Sequence, residues 1–215
     1  MSDTLPLLTS ATGHRAAKKL WMDDKGEWQR TGYDKYAKLW TYREVPVAGI
    51  RDIARALEPL RNDPSTMVIR GAPKDPIAPG EVIRRKLVPS GGRFSGSNGP
   101  TPRSWVMLDF DDPPAPDYLD PIAEPETAVE WLITEYLPPE WQDVSFAWDI
   151  SPRTGTYGST VGAHIWFWLT KPQTGGEMDA YFAARVTPEA KVDEHLFKND
   201  VQPHYTAYPI FKDCR

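Results

Sequence analysis

The chain has 215 residues and a mass of 24.3 kDa, with 40% hydrophobic and 26% charged residues, a globular composition that excludes a disordered chain. Its 22 Pro exclude a continuous helical bundle, and its one Cys, Cys214, excludes a disulfide framework or a thiolate metal site. There is no apolar run of about 18 residues and no signal-like N-terminus, so a cytoplasmic protein without membrane attachment is expected.

The N-terminal stretch mixes charge with aromatics: Trp21, Trp28, Tyr33, Tyr36, Trp40 and Tyr42. Alternation around Lys38–Tyr42 predicts a strand, and Lys25-Gly26 predicts a hairpin tip. Ile50, Ile53, Ala54, Leu57 and Leu60 fall at helical spacing, with Pro59 marking the end. Thr66–Arg70 reads as a buried strand ending at Gly71, and Ser90–Pro102 as a Gly/Ser/Pro loop. Trp105–Asp111 predicts a strand whose far end turns acidic, followed by a helix from Pro125 to Leu137. Ser145–Trp148 and Ala163–Leu169 predict two further strands, and a third helix follows Gly175-Gly176. The class is α+β, short helices against an antiparallel or mixed sheet. Residues 1–65 form an N-terminal subdomain and 66–215 the core.

The net charge of −5 argues at first against nucleic acid, but the charge is unevenly placed. From Arg61 to Trp105 there are eight basic residues and three acidic ones; from Val106 to Ile150 there are twelve acidic residues and no Lys or Arg. The sign changes beside Leu108-Asp109-Phe110-Asp111-Asp112. On a strand Asp109 and Asp111 share a face, roughly 6–7 Å apart, and repel unless a cation sits between them. Hard oxygen ligands suit Mg²⁺ or Mn²⁺. Alternatively, Asp111-Asp112-Pro113-Pro114 is only a turn that caps a strand. His164 heads the apolar strand that follows Gly162 and is either a structural residue or a donor to phosphate. Val192-Asp193 carries little by itself, and Asp200 competes with it for any acidic role. Arg84, Arg85, Lys86 and Arg93 are either a solvated face or a grip on template phosphates.

Taken in order, these elements resemble the archaeo-eukaryotic primase superfamily, the primase–polymerases of cellular primases and of plasmid, phage and mobile-element replication proteins. The apolar strand ending Asp-x-Asp is matched by Val106–Asp111, the Ser-x-His motif by Gly162-Ala163-His164 with Gly in place of Ser, and the apolar-Asp motif by Val192-Asp193. Val68–Ala72 and Tyr205–Phe211 extend the likeness over residues 65–211. The resemblance implies an RRM-like sheet flanked by helices, with an N-terminal α/β subdomain. It implies a template-dependent nucleotidyltransferase in which Asp109, Asp111 and Asp193 hold two Mg²⁺ or Mn²⁺ ions, and His164 and Arg70 contact the incoming NTP or dNTP. The hydroxyl missing from the second motif falls to Ser159, to Thr160 or to no residue. Single-stranded DNA is the implied template, and a helicase domain or protein of the same replicon the implied partner, the chain being read as a catalytic domain excised from a longer protein. Two rivals stand beside this: a two-metal nuclease, which lacks a Lys near the Asp pair in the sequence, and an aromatic-rich binding module holding a structural Ca²⁺.

Overall fold

A computed structural model describes residues 2–31, 37–94, 100–154 and 159–212. Three sheets form. The first has the order β5–β1–β4–β6, from Asp3–Ser10 (β1), Leu39–Val47 (β4), Thr66–Val68 (β5) and Val82–Arg84 (β6). The second joins the hairpin Lys19–Met22 (β2) and Trp28–Thr31 (β3) to the C-terminal Ile210–Phe211 (β10). The third has the order β7–β9–β8, from Arg103–Phe110 (β7), Phe146–Ile150 (β8) and Ala163–Gln173 (β9). The helices are α1 (Ile50–Leu57), α2 (Pro125–Tyr136), α3 (Gly175–Arg185) and the single turn α4 (His195–Lys198). The protein is therefore mixed α+β, built largely on antiparallel pairing.

The local chemistry accounts for these elements. Gly26 supplies the left-handed residue (φ 77°) that closes the β2–β3 turn, while Asp23 Oδ1 accepts the backbone N–H groups of Lys25 and Glu27. Helix α1 passes into a 3₁₀ turn at Glu58–Asn62, where Pro59 removes a donor. Thr174 and Glu177 close a reciprocal capping box at the start of α3.

Side chains along β7 alternate between two packed faces. Val106, Leu108 and Phe110 pair across β9 with Phe167, Ile165 and Ala163. This face meets the helices: Phe167 packs edge-on to Trp141, which meets Phe182 of α3, and Phe182 stacks on Phe197 of α4. Trp105, Met107 and Asp109 point the other way, toward the first sheet, where Trp105 Nε1 donates to the Thr4 carbonyl. Trp105 and Trp166 are fully buried there. Each such indole removes on the order of 200 Å² from water, a gross contribution of about 5 kcal/mol at ~25 cal/mol per Å². Nine Trp in the sequence are thus mostly interior material: Trp40, Trp105, Trp141 and Trp166 are buried, and Trp131, Trp148 and Trp168 pack against the main core.

The boundary expected at residue 65 does not divide the structure. β5 lies beyond it, yet pairs with β1, and β6 pairs with β4. The C-terminal segment also returns: His204 pairs with Val68, extending the first sheet, and β10 pairs with β2. The physical reason is that β1, with Leu5, Leu7 and Leu8 all buried, needs a partner on each edge, and β5 supplies the second. Tyr33, Tyr36 and Cys214 lie outside the described residues.

Candidate active site

The polar ends of three strands meet on the face of the third sheet that looks toward the first. Asp109 at the end of β7 pairs with His164 on β9, which pairs in turn with Asp149 on β8. Directly paired residues of antiparallel strands share a face, with Cβ atoms about 4.5–5.5 Å apart. On the other edge of β7, Phe110 bridges Val192, with Asp193 N–H donating to the Asp109 carbonyl (2.9 Å) and Asp111 N–H to the Lys191 carbonyl (2.9 Å). That register sets Asp193 opposite Asp109. The row is therefore Asp193, Asp109, His164, Asp149, with Asp111 one pleat beyond Asp109.

The chain leaves this row through two non-glycine residues in the left-handed region, Asp112 (φ 55°) and Lys191 (φ 50°). Lys191 Nζ donates to the Asp112 carbonyl (3.1 Å), tying the two turns together. Left-handed conformations in ordinary residues persist only where their surroundings enforce them, and they concentrate at functional sites. Asp112 is anchored by an ion pair from its Oδ2 to Arg153 Nε (2.6 Å), while its Oδ1 is buried with no hydrogen-bond partner among the described residues.

Charge in the row is concentrated. His164 Nε2 lies 3.4 Å from Asp109 Oδ1. Burial works to lower the His164 pKa, but the charge and hydrogen bond of Asp109, helped by Asp149, outweigh it and raise it. The same partnership, with Lys18, brings Asp109 below the ordinary carboxylate value against the upward push of its own burial. Asp111 is raised, first by desolvation and then by the charges of Asp109, Asp193 and Asp112, with Arg153 opposing. Burial also raises Asp149, against the pull of Arg61, whose Nε reaches its Oδ1 at 2.7 Å. Lys18, from the segment before β2, has its pKa lowered by burial although Asp109 and Asp111 draw it up. Its backbone carbonyl accepts from Ile210 N–H (2.8 Å), so the C-terminal strand helps hold it beside the carboxylates.

Of the residues expected to act together, Asp109, Asp111, Asp193 and His164 are gathered here. Asp193 also caps the turn that follows, its Oδ1 accepting the His195 N–H (2.9 Å). Asp200 lies elsewhere, fully buried, accepting from Thr101 Oγ1 (2.8 Å) close to Arg70 and Arg103.

Arg70 is a correction: instead of meeting a nucleotide it is 1% exposed, its guanidinium donating to the carbonyls of Trp105 (2.9 Å) and Gln173 (2.5 Å) inside the core. Ser159 is another, because it stands exposed against the Asp117–Glu124 loop. Thr160 bridges Pro114. The hydroxyls that meet Gly162 belong to Ser151 and Thr154. Thr154 Oγ1 exchanges 2.9 Å hydrogen bonds with the backbone of Gly162. A Cβ on Gly162 would lie 2.5 Å from Asp112 Oδ1 and 2.8 Å from Ser151 Cβ, so a serine has no room there.

The basic residues also separate. Arg93 pairs with Glu81 (2.8 Å), and Arg85 donates to the Val201 carbonyl, so neither is a free phosphate grip as expected. Arg84 and Lys86 are exposed beside β6. Lys18, Asp149, Arg153 and Ser151 were not singled out in the sequence; Lys18 and Arg153 carry no local pattern, because the fold alone brings them to the Asp pair.

The donor set suits hard divalent cations: three carboxylates on one face, one raised by desolvation and by the charge of the other two, and an orphaned buried oxygen on Asp112. As the side chains stand, no three His, Cys, Asp or Glu groups among the described residues are closed to metal-ligand spacing, and Arg153 holds Asp111 at 3.3 Å. No helix among the described residues is long and apolar enough to cross a membrane. No family model, no curated protein and no solved structure matches the chain.

Proposed function

We propose that this protein is a DNA primase–polymerase, a template-dependent nucleotidyltransferase of the archaeo-eukaryotic primase type. The observation that carries the reading is the convergence of Asp109, Asp111 and Asp193 beside His164, reached from three separate chain segments. The three-stranded sheet with helices on one face is read as the RRM-like core of that superfamily, and the first sheet, which the N-terminal strands share with β5 and β6, as the counterpart of its N-terminal subdomain. The setting that goes with this reading is the cytoplasm, beside a helicase of the same replicon.

Asp109, Asp111 and Asp193 would hold two Mg²⁺ or Mn²⁺ ions. When bound, such ions lower the pKa of a 3′-hydroxyl and neutralise charge developing on an α-phosphate. His164, whose protonated form Asp109 favours, donates to the triphosphate of the incoming nucleotide. Asp149, held by Arg61, places a second negative charge on the other side of His164. Arg153 neutralises Asp111 and Asp112 and yields them to a cation of higher charge.

A second reading gains support from one observation: Lys18 stands beside Asp109 and Asp111, the arrangement a two-metal nuclease uses to orient water. Purified protein with single-stranded DNA, labelled nucleotides and Mn²⁺ or Mg²⁺ separates the two. Primer synthesis or extension that disappears in Asp109→Ala and Asp111→Ala supports the polymerase. Cleavage without synthesis, lost in the same variants and in Lys18→Ala, supports the nuclease.

A further inference from the structure

At the outer edge of the first sheet, away from the acidic row, a cavity of about 300 Å³ is lined by Ala37, Lys38, Trp40, Arg84, Arg85 and Lys86. Four of these six are cationic and none is acidic. The strand geometry produces the cluster: Ile83 points into the core while Val82 and Arg84 point out, and Leu39 pairs with Arg84, which brings Lys38 to the same end. Arg85 is committed to the protein, its guanidinium on the Val201 carbonyl. Lys38, Arg84 and Lys86 make no ion pair among the described residues, and the nearby carboxylate of Glu81 is already taken by Arg93. Like charges sharing so small a space repel one another unless an anion joins them.

Trp40 backs the pocket from the core side. Trp40 is 3% exposed, and its Nε1 is buried with no hydrogen-bond partner among the described residues. Three unpaired cations around one cavity are complementary to an oxyanion. We infer that this cavity binds a backbone phosphate of single-stranded DNA, and so anchors the strand on which the acidic row acts. The inference rests on the reading that the substrate is DNA. It is argued from the charge distribution: a chain of net charge −5, with three carboxylates at its reaction centre, repels a polyanion there and needs its cationic contact elsewhere.

The test is fluorescence anisotropy of a labelled single strand titrated with the full chain at several salt concentrations, without metal. R84Q/K86Q should weaken binding about ten-fold or more and reduce the slope of log K against log salt by about 1.4, the value for two lost contacts at ~0.7 each. The melting temperature of R84Q/K86Q should equal or exceed that of the parent, since mutual repulsion is removed. An unchanged slope with R84Q/K86Q overturns the inference, as does a slope change accompanied by a fall in melting temperature. Competition by inorganic phosphate or nucleotide as effective as competition by DNA would reassign the pocket to a free anion and overturn it too. Because binding is read without metal, absence of nucleotide transfer would defeat the polymerase reading and leave this result intact.

Discussion

Two charged clusters lie on the same face of the third sheet, and their chemistry is opposite. At one end of β7 and β9, Arg103 donates to Asp3 Oδ1 (2.9 Å), to Thr4 and to the Arg70 carbonyl, while Asp200 is held by Thr101 and faces Arg70. Every charge there is buried, and Arg103 is answered in full by Asp3 and backbone carbonyls, while Arg70 Nε and Asp200 Oδ1 stay without a hydrogen-bond partner among the described residues. At the other end the carboxylates outnumber their cations, Asp111 is half exposed, and its pKa is raised first by desolvation and then by its acidic neighbours. Charges of both signs sealed inside the protein serve the fold, whereas surplus charge of one sign at an open edge is accessible to a ligand. This difference distinguishes Asp193 from Asp200, which the sequence alone left as competitors.

The largest expected effects break the comparison at its open end. Asp109→Ala or Asp111→Ala should reduce metal-dependent nucleotide transfer by two to three orders of magnitude or more, in keeping with losing a preorganised charge in a reaction centre. Thermal unfolding of Asp111→Ala should stay close to the parent, because surplus like charge has been removed. At the closed end the pattern reverses. Arg103→Met leaves Asp3 buried and uncompensated, an arrangement that costs about 3–5 kcal/mol. Chemical denaturation of that variant should report the loss, with any fall in activity tracking the unfolded fraction. An Arg103→Met variant that is inactive but fully stable would undo the contrast.

Next in size is a substitution between the two ends. Gly162→Ser restores the residue that the primase-type motif carries, and from sequence alone it would pass for a repair. With Asp112 Oδ1 2.5 Å from the new Cβ, overpacking should instead destabilise the protein by about 1–3 kcal/mol and displace Asp112 from Arg153. A melting temperature equal to or above that of the parent, with higher activity, would contradict this account.

What the sequence made legible was local. The β7 strand, α2, β9 and α3 follow from alternation, helical spacing and capping, and Asp109 with Asp111 follows from the period of a strand. β1 was not legible, because a strand buried on both faces shows no alternation and Pro6 in its middle reads as a breaker. The placement of Asp193 rests on one bridge, Phe110 with Val192, between residues far apart in the chain. Lys18 and Arg153 reach the row only through loops, and no spacing rule connects them to it. Arg70 shows the converse: a motif-like position whose side chain the fold turned inward to satisfy two carbonyls of the third sheet.

His204 gives the finest test, since it lies between the two clusters and belongs to neither. Its ring is 2% exposed, packed near Trp105 and Trp166, with neither nitrogen hydrogen-bonded among the described residues. Burial, reinforced by the charges of Arg70 and His164, lowers its pKa to about 3, so the folded protein keeps it neutral. The unfolded chain takes up that proton near the ordinary histidine value of about 6.5. Stability from this group is therefore complete above about pH 6.5 and is lost as the pH falls from there toward 3, by at most about 1.4 kcal/mol per pH unit. His204→Leu removes the titrating group while leaving the backbone pairing with Val68 in place. Carboxylates titrate in the lower part of the same window, so the measurement is the difference in unfolding free energy between parent and variant from pH 7 to 4. That difference should move steadily in favour of the variant as the pH falls. A difference independent of pH would mean that the imidazole is solvated or partnered, and that the face between the two clusters is not the dry apolar layer separating them.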